Sequence, residues 1–249
     1  MELNNNSIKP LPVWKSILIG AIIAGIALLC FYFLRPFLEK LGLNEYAAYL
    51  ISLSLGLIVI LIWAVLSYLS EENNRTFKDF LTRVRLNHLI PKWFYWALGL
   101  AIIMFLSTVI FSPVLSWLIS HNIIPLPQDV PDYINPIKQL SIEKVKEQLI
   151  NQGVIPLIPI VLIINIFSEE IFWRGIILPR QELQHGKNAF WIHGTIWAFT
   201  HLFQFWLLIP ILVGSIALAY VIQRTKCTWI SIVAHLLNNG LPFLIMAIA

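Results

Sequence analysis

Long, nearly unbroken apolar runs separated by short polar stretches set the pattern of this chain. A transmembrane helix needs about 20 apolar residues. Windows of that kind fall at about residues 15–35, 46–70, 93–120, 154–178, 189–208, 209–223 and 228–249. The pattern predicts an all-α fold, a polytopic transmembrane helix bundle of about seven spans. The sixth window is short and follows the fifth directly, with Pro210 suited to the first turn of a new helix. The run at 16–34 is too long for a signal-peptide core and has no small-residue cleavage pattern after it, so it reads as a retained first span. Three parts result: a cytoplasmic N-terminal tail (1–14), three transmembrane helices with interfacial loops (15–153), and a core of four transmembrane helices (154–249).

Two connecting segments have patterns of their own. Residues 76–90 place Phe77, Phe80, Leu81, Val84 and His88 on one helical face, with Lys78, Arg83 and Arg85 elsewhere. This predicts an amphipathic basic helix lying on the inner leaflet. In the segment 125–150, Ser141 is placed to cap a short helix whose Ile142, Val145 and Leu149 face the membrane. That helix reads as part of a linker rather than a lid.

Composition agrees with this picture. The 249 residues are 58% hydrophobic and 12% charged, against about 25% charged in soluble domains, and the mean hydropathy is +0.78. The net charge of +4 is a matter of topology and calls for no nucleic acid. With the N-terminus in the cytoplasm, Lys9, Lys15, Arg75, Lys78, Arg83, Arg85, Lys92, Arg180, Lys187, Arg224 and Lys226 lie inside. Only Arg35, Lys40, Lys138, Lys144 and Lys146 lie outside, and this bias supports an N-in, C-out orientation; the expected location is the plasma membrane. Trp14, Trp93, Trp96, Trp117, Trp191, Trp206 and Trp229 sit at span ends, where indoles anchor to headgroups. Cys30 and Cys227 are too far apart in the pattern to meet, and two cysteines make no zinc or disulfide framework.

The chemistry lies within the spans. Glu169 and Glu170 follow an apolar stretch in Ser168-Glu169-Glu170-Ile171-Phe172-Trp173-Arg174. A charge at bilayer depth costs about 3 kcal/mol on insertion scales and usually faces a polar interior. Glu170 precedes Arg174 by four residues, the favourable order for a pair on one helix face, which leaves Glu169 free to act as acid or base. A second cluster is Trp197-Ala198-Phe199-Thr200-His201, and a third is His235-Leu236-Leu237-Asn238-Asn239. At about 1.5 Å per residue, Glu169, His201 and His235 lie roughly 14, 18 and 10 Å from one face, so they can converge on one pocket. A buried carboxylate suits proton abstraction near neutral pH. A neighbouring imidazole can share the proton, and a second imidazole with an amide can donate to a developing oxyanion. Together these describe hydrolysis of an amide or ester. Ser168 faces away from such a scheme.

Each residue also has a plainer reading. One histidine in a span is more often a packing residue than a catalyst. His193, eight residues before His201, reads as a lining or supporting group, and Asn165 and Asn238 as bonds between helices. Arg180 and Glu182 read as markers of a turn. Two adjacent buried glutamates, however, exceed what pairing with Arg174 requires. A proton relay or transporter would spread its ionisable groups along a path, whereas here they cluster toward one face.

Glu-Glu-x-x-x-Arg (Glu169, Glu170, Arg174), aromatic-x-x-x-His (Trp197, His201) and His-x-x-x-Asn (His235, Asn239), in this order in three late spans, resemble the CPBP family. These are the CAAX prenyl proteases and the bacteriocin-processing or immunity proteins, also called Abi proteins. The resemblance covers roughly residues 160–245. It implies an intramembrane endopeptidase of glutamic type, a hydrolase acting on a protein or peptide substrate that is hydrophobic or lipidated. Glu169 and His201 would activate the water, and His235 with Asn239 would form the oxyanion hole. Glu170, Arg174 and Trp197 would support them. The second motif usually begins with Phe, a swap that keeps the aromatic packing. No cofactor is favoured. If a metal such as zinc were used, Glu169, His201 and His235 would be its ligands, although no His-Glu-x-x-His pair is present and Asn239 is a poor zinc ligand. A catalytically idle scaffold or immunity-type binding protein is the alternative. The lipid bilayer is the other partner.

Overall fold

A computed structural model describes residues 8–71, 75–127, 130–131, 134–136 and 142–248. Among the described residues all regular structure is helical. In hydrocarbon every backbone polar group must be bonded within the chain, and apolar runs of this length meet that demand as helices. The helices are α1 (Val13–Leu29), α2 (Arg35–Lys40), α3 (Glu45–Leu69), α4 (Phe77–Arg83), α5 (Trp93–Ser120), α6 (Ile142–Asn151), α7 (Leu157–Glu170), α8 (Leu178–His185), α9 (Ala189–Phe199), α10 (Leu208–Thr225) and α11 (Thr228–Ile248).

Two of the junctions are π-helical: Cys30–Leu34 joins α1 to α2, and Ile171–Ile177 joins α7 to α8. Each π-helical stretch is followed directly by a helix with proline in its first turn, Pro36 and Pro179. Proline brings no N–H and clashes with the carbonyl four residues before it. A wider turn relieves that clash, and π-turns are a recognised cause of bending.

Neighbouring helices close a cycle: α1 packs on α3, α3 on α7, α7 on α11, α11 on α5, α5 on α10, α10 on α9, and α9 back on α1. The approach of α9 to α10 depends on Gly194, where a Cβ would lie 2.7 Å from the Ile216 Cα. Ser215 on α10 donates to the Gly194 carbonyl at 2.8 Å, a polar tie of the kind that joins helices in membranes. Outward faces are apolar and exposed, including Ile22, Phe33, Val59, Leu66, Phe105 and Ile110. So much exposed apolar surface marks a lipid-facing belt.

By length and composition, four helices among the described residues can cross a membrane: Val13–Lys40, Glu45–Leu69, Trp93–Ser120 and Leu202–Thr225. Residues 189–208, expected as one span, are not one helix. α9 stops at Phe199, about 16 Å long, and a turn and the 3-10 stretch Leu202–Leu207 precede α10. Pro210 does sit in the first turn of α10.

The basic amphipathic segment also differs from expectation. Only Phe77–Arg83 is helical, and Val84, Leu86, Arg83 and Arg85 are buried against the protein. The arginines find carboxylates there, so they are not free to face lipid headgroups. Trp206 is fully buried and Trp229 donates to the Leu86 carbonyl, so neither is a simple anchor, whereas Trp14, Trp117 and Trp191 are exposed. In α6, Leu149 packs with Tyr46, Val154 and Ile158 rather than facing lipid. Ser141, expected to cap this helix, and Lys138 lie outside the described residues. Cys30 and Cys227 are free and buried.

Candidate active site

Glu169 and Glu170 are the last two residues of α7, immediately before the π-helical stretch. Glu170 and Arg174 are both completely buried. The expected pair forms, with Arg174 Nε 3.3 Å from Glu170 Oε2, but it is not aligned as a hydrogen bond. The widened turn between the two residues explains the offset. The guanidinium carbon instead lies 4.1 Å from the centroid of the Trp197 ring, a cation–π contact. Glu170 Oε1 meets His235 Nδ1 at 3.0 Å. The carboxylate therefore bridges an arginine on its own helix and a histidine on α11, a link that sequence spacing did not reveal. Ser168 turns its hydroxyl back to the Ile164 carbonyl at 2.6 Å, away from the cluster.

His201 is not on a helix but in the turn after α9. The Trp197 carbonyl accepts from the Thr200 hydroxyl at 2.6 Å and faces His201 Nδ1 at 3.2 Å. Such local side-chain bonds compete with the helical ladder and end α9 here. A carbonyl only accepts, so the proton of neutral His201 is assigned to Nδ1, and Nε2 presents its lone pair. Trp197 stands at the centre of the group. Its ring meets His201 edge-on at 4.9 Å and His235 at 6.1 Å.

Two cavities meet at this tryptophan. One, of about 70 Å³, is lined by Glu169, Trp173, Trp197, Thr200 and His201 together with apolar residues of α1 and α3. The other, of about 240 Å³, is lined by Trp197, His201, Gln204, His235, Asn238 and Asn239 and by Ser107 and Thr108 of α5. His201 lines both. Glu169 opens only into the first, and His235 with Asn239 only into the second. Asn239 Oδ1 accepts from Asn238 Nδ2 at 2.9 Å, which directs donor N–H groups of Asn239 elsewhere.

Several buried polar atoms here have no hydrogen-bond partner: Glu169 Oε2, Glu170 Oε2, Trp197 Nε1 and all three Arg174 nitrogens. Leaving such a group unpaired costs about 1–3 kcal/mol, more when it is charged. Among the described residues no group of three or more His, Cys, Asp or Glu side chains could hold a metal ion. Glu169, His201 and His235 are thus not gathered as a ligand set.

His193 lines neither cavity. It is fully buried, and its Nδ1 meets Gln181 Oε1 at 2.7 Å while Gln181 Nε2 donates to Ser16 Oγ at 3.0 Å. This chain ties α9 to α8 and α1. Asn165 Oδ1 is buried without a partner, so it does not accept a bond from a neighbouring helix. Arg180 and Glu182 do more than mark a turn, since Arg180 pairs with Glu71 at 2.7 Å and Glu182 with Arg85 at 2.6 Å.

Residues 151–241 match the family model described as Rce1-like, type II CAAX prenyl endopeptidase Rce1-like. The match bears out the resemblance to the CPBP family, and it covers the residues of all three motifs. No curated protein and no solved structure matches the chain.

Proposed function

We propose that the chain, whose residues 151–241 match the Rce1-like type II CAAX prenyl endopeptidases, is an intramembrane endopeptidase. It cleaves a peptide bond in a hydrophobic or lipidated protein substrate. The observation that carries this reading is the cavity lined by both Glu169 and His201, beside which one buried glutamate oxygen has no bonding partner. A carboxylate and an imidazole with a free lone pair, side by side at depth, can hold a water molecule and take its proton.

The hydroxide so formed attacks the carbonyl carbon of the scissile bond. Negative charge develops on the carbonyl oxygen, and Asn239 Nδ2 and His235 Nε2 are its donors. With Nδ1 bonded to Glu170, His235 donates from Nε2 when its ring carries both protons, and the Glu170 carboxylate is then its counter-charge. The proton held by Glu169 and His201 passes to the leaving amine, which breaks the C–N bond. Arg174 and Trp197 hold Glu170 and the two imidazoles in place. The N-terminus lies in the cytoplasm of a cell whose plasma membrane holds the protein.

Reconstituted protein and a farnesylated peptide ending in a CAAX sequence test this directly. Wild type should cleave it, and Glu169→Gln should not. Failure of well-folded wild type to cleave any lipidated or hydrophobic peptide would favour an idle scaffold.

A further inference from the structure

The geometry points to Arg83, on the strap formed by residues 75–90, as a positioning residue for the Glu170–His235 contact. This rests on the hydrolytic reading above and adds a residue outside the stretch that matches the family. Pro179 stands in the first turn of α8. Proline brings no N–H to the carbonyl four residues before it, here that of Gly175. Arg83 Nη1 donates to this carbonyl at 2.5 Å, and Nη2 lies 3.5 Å from the Ile176 carbonyl. The same guanidinium is fixed from behind, with Nε and Nη2 donating to the two Glu71 oxygens at 2.6 and 2.8 Å. A planar fork suits this double task, which a lysine ammonium cannot reproduce.

The strap touches the π-helical turn closely. A Cβ on Gly175 would lie 2.7 Å from the Cβ of Val84, so only glycine allows the strap to seat. On its other side the strap holds the start of α11. The Arg85 carbonyl accepts from Thr228 N at 3.0 Å, the Leu86 carbonyl from Trp229 Nε1 at 2.9 Å, and the His88 carbonyl from Cys227 Sγ at 3.3 Å. Gly175 lies about one turn beyond Glu170, and Thr228 about two turns before His235. One short segment therefore fixes the height of both helices whose side chains meet at 3.0 Å.

The pair with Glu71 also sets where the Arg83 guanidinium lies. Its value here is geometric. A misplacement of about 1 Å in a reacting group can lower the rate by about 100-fold.

The test uses the full chain in lipid nanodiscs, with Arg83→Gln, Arg83→Lys, and Phe77→Ala as a control on the exposed side of the strap. Arg83→Gln should lower kcat by about 10- to 100-fold with KM within about twofold, while Phe77→Ala matches wild type. Arg83→Lys should fall between. In a Glu170→Gln background the same Arg83→Gln change should cost little further, because residues acting through one contact are not additive. Amide exchange across Ile171–Ile177 should rise in Arg83→Gln. An unchanged kcat, or an equal loss in both backgrounds, would overturn the assignment. If wild type cleaves nothing, the functional reading fails, and exchange alone decides: a rise supports the strap, and unchanged protection overturns it.

Discussion

At the basic end of the bundle, Glu71 receives Arg83 through two bonds of 2.6 and 2.8 Å and Arg180 through a third of 2.7 Å. Glu182 there is paired with Arg85 through two bonds and with Lys226. At the end of α7, Glu170 meets Arg174 at 3.3 Å and off-axis, and one oxygen of Glu169 meets nothing. Both regions bury carboxylates beside arginines, yet one saturates them and the other leaves them short. Saturated pairs fix helices, while unsatisfied groups stand ready for a ligand whose charge changes during reaction. Buried polar groups are otherwise nearly always paired, and the shortfall at the second place is where we propose the active site.

The contrast breaks most sharply at Glu169. Glu169→Gln should lower kcat by about 10³-fold or more, in the range of a lost general base, with the melting temperature unchanged or higher. A carboxylate oxygen buried without a partner does not stabilise the fold. If this variant instead melted much earlier than wild type with activity retained, Glu169 would belong with the saturated pairs.

Glu170→Gln should behave differently. It leaves Arg174 buried without its counter-charge, a change that typically costs about 3–5 kcal/mol. It should lower both melting temperature and kcat, the latter by about 100-fold through loss of His235 orientation. Loss of activity with full stability would mean that the Glu170–Arg174 pair has no structural part.

Acid acts on the saturated pairs. Burial pushes the Glu71 carboxyl up, but Arg83 and Arg180 more than offset this and hold it below the ordinary glutamate range. The unfolded chain thus binds this proton more readily than the folded one, and stability rises with pH. The contribution is complete above the ordinary glutamate value and is lost as pH falls through the lowered one. Melting temperatures between about pH 3 and 6 should fall with acid in wild type and fall less in Glu71→Gln. Equal slopes would remove Glu71 from the set of stabilising pairs.

The smallest expected effect is at Trp197→Phe. The ring under Arg174 survives with a weaker cation–π contact, worth about 0.5–1 kcal/mol less, and kcat should stay within about fivefold. A loss as large as that of Glu169→Gln would give Trp197 a part in the chemistry itself.

Much of this was legible in the apolar windows. Run length alone outlined α1, α3 and α5, because a helix that must span lipid has no other way to satisfy its backbone. The failure at 189–208 has a local cause. Thr200 and His201 bond the Trp197 carbonyl, and such bonds end a helix without changing its hydropathy. The signal for the wide turn was Pro179, whose missing N–H frees the Gly175 carbonyl, but proline reads as a break and not as a π-turn. In the site, four-residue spacing brought Glu170 to Arg174 and His235 with Asn239 to one cavity. It gave no hint that Glu170 reaches His235, since that contact depends on how α7 and α11 lie side by side. Arg83 and Arg85 read as basic residues for a lipid surface for the same reason: their carboxylates, Glu71 and Glu182, lie 12 and 97 residues away.

The most direct measurement is a quantitative profile of peptide termini in membranes of cells carrying wild type or Glu169→Gln at equal levels. Hydrolysis by Glu169 predicts a defined set of termini, in hydrophobic or lipidated proteins, present with wild type and absent with the variant. Identical profiles from the two proteins would contradict a peptidase.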